Sequence, residues 1–393
     1  MKWLWENRCR LFYRLVFMFF LLEGFSRVWL YYICDDEHFL KYAALNQLSH
    51  RDSLANYRFS FHRYLGYTTT PQYVQGENRH NTLGFRGDDF PLQKPAGEYR
   101  IVCIGGSTTY TSEVKNYHDS YPAVLEKKLH EQGFTQVRVI NAGVGGWHSW
   151  ESLINFQFRL LDLQPDLIVV YEGINDIEAR LVWPATAYAG DNSGYLQPQL
   201  SAVFMPALWE YSTLLRSTMI YTGRIQPHAS LPRAINKKNE TTYFGDEFAR
   251  QRQQGIYPQG IFRTVSAMEM LKTNKPVYFE RNIGSMIDIA SSNGIKTLLL
   301  SFPTDAEDFP DVVKSASPEY VYAIAEQNAV LQKLAEKKQV RFFDLAKLLP
   351  KHKSLFKDGH HVNEAGAATM ATMIADEIGT NILHGKTGNQ DKP

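Results

Sequence analysis

YRIVCIGGSTTY, residues Tyr99 to Tyr110, is the stretch from which the rest of the chain is read. Its largely apolar first half has the length and character of a strand buried on both faces, and it runs into Gly105-Gly106 and then Ser107. Two glycines let the backbone turn tightly where a strand gives way to a helix, which points backbone N–H groups at whatever binds there. A phosphate-cradling loop is the competing reading, but the chain lacks the Gly-Lys pair of a P-loop and the G-x-G-x-x-G run. Four similar runs lie further along, at Val137 to Ile140, Asp166 to Tyr171, Lys296 to Phe302 and Val340 to Leu345. Helical patterns lie between and after them: Tyr121 to Leu129 behind a Ser120 cap, Val321 to Leu334 behind Ser317-Pro318, and Ala367 to Ile378 behind an Asn363 cap. This alternation predicts an α/β fold, a doubly wound sheet of about five parallel strands with its ligand sites at the strands' carboxyl ends.

Four motifs sit at those ends. Ser107 closes the first strand as a nucleophile or as part of a plain turn. NAGVGGWHS, Asn141 to Ser149, closes the second; its glycines allow close backbone approach, and Gly146 can offer an N–H to an oxyanion, or simply turn the chain. YEGINDI, Tyr171 to Ile177, closes the third: Asn175 can donate its amide to developing negative charge, and Asp176 can cap the following turn. DGHHVNEAGA, Asp358 to Ala367, comes after the fifth. There Asp358 and His361 are spaced so that the carboxylate can hold one imidazole nitrogen and leave the other free as a base. His360 is the local rival for that role. Asp358, His360 and His361 as metal ligands is a further reading, weakened because two adjacent histidines are expected to point apart, so no metal or cofactor is expected.

The chain has 393 residues and a net charge of +1, with 44% hydrophobic and 21% charged residues, which excludes disorder and a polybasic nucleic-acid binder. Cys9, Cys34 and Cys103 show no disulfide or zinc spacing. Leu11 to Ile33 reads LFYRLVFMFFLLEGFSRVWLYYI and, at about 1.5 Å per residue, spans a hydrocarbon layer of ~30 Å as one helix. Arg14, Glu23 and Arg27 are costly in lipid unless paired, and Glu23 and Arg27 have the spacing to meet on one helix face. A cleaved signal peptide and a helix lying in the interface are the alternatives; no small-residue cleavage site comes after the apolar core, so an uncleaved anchor is expected. Lys2, Arg8, Arg10 and Arg14 precede the apolar core and Asp35, Asp36 and Glu37 succeed it, which places the N-terminus in the cytoplasm. The expected division is 1–34 cytoplasmic N-terminus and anchor, 35–98 extended lead-in, 99–382 the α/β domain, and 383–393 a flexible tail. Within the domain, 177–276 is a 100-residue insertion between strands three and four, where a crossover of about 20 to 30 residues suffices. It carries eleven basic and seven acidic residues, which permits contact with an anionic surface.

Taken together, the four motifs resemble the blocks of the SGNH hydrolases, the GDSL esterase superfamily, in order and spacing from Tyr99 to Ile382. The resemblance implies a flavodoxin-like sheet, Ser107 as the nucleophile, Asp358 and His361 as its D-x-x-H partners, and Ser107, Gly146 and Asn175 as the oxyanion hole. Gly106 stands where the family usually has Asp. The Gly-Gly-Ser-Thr variant, with the lead-in stretches HRYLGYTTTP (His62 to Pro71) and NTLGFRGDDF (Asn81 to Phe90), is similar to a membrane-anchored bacterial subgroup. The resemblance therefore implies a serine ester hydrolase of the bacterial inner membrane. It is expected to be single-pass, with a periplasmic catalytic domain acting on O-acyl, chiefly O-acetyl, esters of an envelope or exported glycan. The alternatives are a glycan O-acetyltransferase working beside a membrane acyl-donor protein, a lysophospholipase or thioesterase, and an inert glycan-binding scaffold.

Overall fold

The computed structural model describes residues 2–44, 58–62, 64–196, 211–225 and 242–383. The described residues fall into two compact units, one within Met1–Tyr67 and Leu196–Glu240, the other within Thr68–Tyr195 and Thr241–Pro393.

The second unit is built on five parallel strands, β1 (Tyr99–Gly105), β2 (Val137–Asn141), β3 (Leu167–Tyr171), β4 (Lys296–Leu300) and β5 (Arg341–Phe343), in the order β2-β1-β3-β4-β5. Ile101 lies opposite both Val139 and Leu167, which sets the register at the centre of the sheet. Alternate residues go to opposite cores. Ile101, Cys103, Leu167, Val169 and Leu298 pack on one face with Leu125, Ala371 and Ile374. Val102, Ile104, Ile168, Val170 and Leu299 pack on the other with Phe156, Ile283, Met286 and Leu331. Both faces are covered by helices, so the strands read as continuous apolar runs rather than as alternating ones. The β2-β1-β3 order puts the chain's reversal of direction between β1 and β3, beside the Ser107 loop, where such sheets open a crevice for ligands.

Helix starts obey the sequence in two cases out of three. Ser317 accepts from the Tyr320 N–H at the head of Pro318–Lys338, and Asn363 accepts from Gly366 N–H at the head of Glu364–Ile378. Ser120 occupies the cap position of Tyr121–Glu131, but its hydroxyl donates to the Tyr117 carbonyl at 2.7 Å instead, because a tight turn at Tyr117–Asp119 presents that acceptor first.

The lead-in is divided between the units rather than extended throughout: it holds a helix at Asp36–Tyr42, and from Thr68 onward it packs with the sheet. Residues 177–276 are likewise divided. Residues 178–195 and 242–276 belong with the sheet and 211–225 with the N-terminal unit. The N-terminal unit contains the helix Lys2–Val28, continued by Trp29–Ile33, and the helix Thr213–Tyr221. Asn7–Ile33 is long and apolar enough to cross a membrane. Cys9, Cys34 and Cys103 form no disulfide among the described residues. Of the tail expected over 383–393, residues 384–393 lie outside the described residues.

Candidate active site

Gly105 leaves no room for a side chain against the backbone of β3, and at Gly106 a side chain has to displace Asn175. A Cβ at 105 meets the Tyr171 carbonyl oxygen at 2.2 Å, and one at 106 meets Asn175 Nδ2 at 2.7 Å. The backbone of β1 can therefore run directly against the end of β3, and Asn175 can sit beside the next residue. That residue, Ser107, opens the short helix Ser107–Tyr110. Its Oγ lies 2.7 Å from His361 Nε2. His361 Nδ1 lies 2.8 Å from Asp358 Oδ2, and Asp358 Oδ1 accepts the His361 backbone N–H at 2.8 Å. One carboxylate thus fixes both the ring and the backbone of the histidine, leaving Nε2 as an acceptor toward the serine hydroxyl.

Burial works against ionising Asp358. The hydrogen bond from His361 and the charges of His360 and His361 outweigh it and hold the carboxyl well below its usual range. His360 is lowered too, its buried ring depressed to about 3 by desolvation and then by the neighbouring His361, which holds it neutral where Asp358 is held charged. Ser315 Oγ spends its hydrogen on the Asp358 carbonyl at 2.6 Å, so it accepts from His360 Nδ1 at 2.9 Å. Contrary to expectation, the two histidines do not point apart: their ring centroids are 4.2 Å apart, because Asp358 and Ser315 pull both Nδ1 atoms inward. Ligand atoms of Asp358, His360 and His361 lie within 4.8 Å of one another. Both nitrogens of His361 and one of His360 are already taken up in hydrogen bonds, so a metal bound by His361 has to displace its contact to either Ser107 or Asp358.

Beside Gly106, Asn175 Nδ2 donates one hydrogen to the Trp147 carbonyl at 2.7 Å, which orients the amide and leaves its second hydrogen for a ligand. Gly146, next to Trp147, has φ of +81°, a conformation that favours glycine. Asp176 does not cap its own turn. It accepts from Ser149 N at 3.0 Å and Ser149 Oγ at 2.5 Å, capping the helix Ser149–Asn155 from the neighbouring loop. The Gly146 and Asn175 loops are therefore tied twice, through Asn175 to Trp147 and through Asp176 to Ser149.

Behind them lies a buried polar cluster that sequence reading missed, made of His148, Glu151, Glu172 and Asp176. Burial and the Asp176 charge push the Glu172 carboxyl well up. Burial pulls His148 down, but the Glu151 charge and hydrogen bond and then Asp176 overcome it and raise it to about 9. The motif runs WHSWE and YEGIND did contain these residues; only their meeting across two loops was invisible. Arg86 was missed for the same reason. Buried in the lead-in, it donates to the carbonyls of Tyr110, Thr111 and Val114 and to Asn78 Oδ1, at 2.6 to 2.9 Å. It thereby clamps the segment just past Ser107.

A family model described as GDSL-like Lipase/Acylhydrolase family matches residues 103–369. Among solved structures, the chain is similar to a lipase/acylhydrolase from Enterococcus faecalis, at 16% identity over 71% of this chain and 95% of that one, with a TM-score of 0.40. It is also similar to the acetyl xylan esterase AlAXEase, at 16% identity over 72% and 99% of the two chains, with a TM-score of 0.38. A GDSL-like lipase from Bacteroides thetaiotaomicron matches at 16% identity over 72% and 90%, with a TM-score of 0.37. No curated protein matches the chain.

Proposed function

Since the chain belongs to the GDSL-like lipase/acylhydrolase family, we propose that it is a serine ester hydrolase that works through an acyl-serine intermediate at Ser107. The observation that carries this reading is the unbroken relay from Ser107 Oγ through His361 to Asp358, with contacts of 2.7 and 2.8 Å.

In the first half-reaction Ser107 Oγ bonds to the ester carbonyl carbon as His361 Nε2 takes the hydroxyl proton. Asp358 holds the imidazole in the tautomer that accepts at Nε2 and stabilises the imidazolium that forms. The carbonyl oxygen, now anionic, is met by the N–H groups of Ser107 and Gly146 and by the free amide hydrogen of Asn175. As the tetrahedral species collapses, the C–O bond to the alcohol breaks and His361 returns its proton to the departing oxygen. Water then attacks the acyl-serine, with His361 again as base, and releases the carboxylic acid and Ser107.

The substrate class is an O-acyl ester, chiefly O-acetyl, of an envelope or exported glycan. The chain is held by Asn7–Ile33 as a single-pass anchor of the bacterial inner membrane, with the catalytic unit in the periplasm. The apolar helix and the basic residues ahead of its apolar core support this placement. A fluorophosphonate probe is expected to label the native chain and not Ser107→Ala, and acetate release from O-acetylated glycans is expected to vanish in the same variant. Full turnover by Ser107→Ala overturns the mechanism. Acyl transfer to an added glycan acceptor that outruns release of free acid assigns the same acyl-serine to an O-acetyltransferase instead.

A further inference from the structure

Glu23 is out of character with its helix, a carboxylate 9% exposed within a long apolar segment. Its two oxygens accept four hydrogen bonds, from Arg27 Nε at 2.8 Å, Ser212 Oγ at 2.7 Å, Thr213 N at 2.9 Å and Leu214 N at 3.0 Å. Arg27 also donates to the Tyr211 carbonyl at 2.7 Å. Glu23 thus caps the helix Thr213–Tyr221, which lies 190 residues further along the chain. Its charge faces backbone N–H groups rather than lipid, which removes most of the penalty for placing it at membrane depth.

From that cap the insertion helix climbs beside the anchor. At its far end Ile220, and just beyond it Ile225, are buried in one cluster with Leu30, Cys34, Phe39 and Tyr42. The six-residue rise from Glu23 to Trp29 is about 9 Å. Tyr32 and Tyr221 are 81% and 82% exposed at that upper level, the place aromatic side chains take at a membrane–water boundary. With Asn7–Ile33 read as an anchor, a boundary at the level of these tyrosines leaves Glu23 and the start of the insertion helix beneath it.

The outward face of this helix is suited to hydrocarbon. It presents Leu215, Thr218 and Tyr221, and the helix's single charged residue, Arg216, is buried on the other side. Thr218 Oγ1 donates to the Leu214 carbonyl and Thr222 Oγ1 to the Thr218 carbonyl, both at 2.8 Å, so these hydroxyls are satisfied within the helix, as lipid-facing threonines require. The anchor in the same unit exposes Phe20, Leu22 and Phe25.

We propose that Thr213–Tyr221 is a second membrane-seated element, a short helix of the insertion lying among lipid acyl chains beside the anchor and latched to it by Glu23. This inference rests on the reading of Asn7–Ile33 as a membrane anchor. Three single nitroxide labels test it in the full chain carrying Cys9→Ser, placed by Phe17→Cys on the anchor and by Leu215→Cys and Tyr221→Cys on the insertion helix. Each is measured in vesicles of phosphatidylethanolamine and phosphatidylglycerol. Collisions with oxygen, which partitions into lipid, are compared with collisions with a water-soluble nickel chelate. The oxygen-to-nickel ratio at 215 is expected to approach that at 17 and to exceed that at 221, and adding Glu23→Ala is expected to lower it at 215 toward the aqueous value. A lipid-like ratio at 17 with an aqueous ratio at 215 overturns this inference alone. A label at 215 that meets neither reagent shows that protein rather than lipid covers the face, which also overturns it. An aqueous ratio at 17 overturns the anchor and the inference together.

Discussion

In the proposed mechanism Asn175 gives its second amide hydrogen to the oxyanion, and the 2.7 Å bond from its first to the Trp147 carbonyl holds the amide in place. Removing one oxyanion donor of this kind costs about 3 to 4 kcal/mol of transition-state stabilisation. Asn175→Ala is therefore expected to lower kcat on an aryl acetate by roughly 10²- to 10³-fold with little change in KM. Ser107→Ala and His361→Ala should be more severe, all read by steady-state kinetics. His360, the rival histidine, has a different duty. Its folded-state value near 3 lies below the ordinary 6.5 of a free histidine, so between those pH values the unfolded chain holds a proton that the folded chain does not. Its contribution to stability is complete above about pH 6.5 and is lost as pH falls toward about 3. The stability of His360→Gln relative to the native chain should accordingly improve as the medium is acidified through that window, as measured by urea unfolding at several pH values. His148 acts with the opposite sign: raised to about 9, it contributes stability that is present below about pH 6.5 and lost as pH rises through 9.

At the scale of elements, the candidate site is a set of loop ends held in register by groups outside the Ser107–His361–Asp358 relay. Arg86 brings a stretch of the lead-in to three carbonyls just past the nucleophile, and Asp176 joins the third strand's loop to the helix after the second. Replacing Arg86 strands several buried acceptors, each worth about 1 to 3 kcal/mol when left unpaired. Arg86→Met is expected to destabilise the catalytic unit by about 3 kcal/mol or more in thermal unfolding and to slow fluorophosphonate labelling of Ser107 under conditions where the chain is still folded. Gly106 belongs to the same scale. A Cβ there lies 2.7 Å from Asn175 Nδ2, so a side chain at 106 has to displace that amide.

For the molecule as a whole, the anchor reading makes a topological prediction: alkaline phosphatase fused after residue 383 should be active in cells, and a fluorescent protein fused there should be dark. How much of the molecule is legible before folding depends on the range of the interaction concerned. Strand identity, helix caps such as Ser317 and Asn363, and the Asp358–His361 pair rest on apolar runs and on spacings of a few residues, so Ser107, Gly146, Asn175, Asp358 and His361 were all legible as separate local signals. The paired Glu23 and Arg27 were legible too, as neighbours one helical turn apart. By itself, then, the sequence determined an α/β chain with its candidate catalytic residues at the strand ends and an apolar helix at its start, because periodicity and local spacing encode those features directly. Only the tertiary structure decided that Glu23 caps a helix in the insertion, that Arg86 clamps the segment just past Ser107, that Asp176 serves a neighbouring loop and that His360 turns inward to Ser315. Each of these is a hydrogen bond between groups distant along the chain, and a donor's residue type does not say which far-off acceptor the fold will bring within about 3 Å.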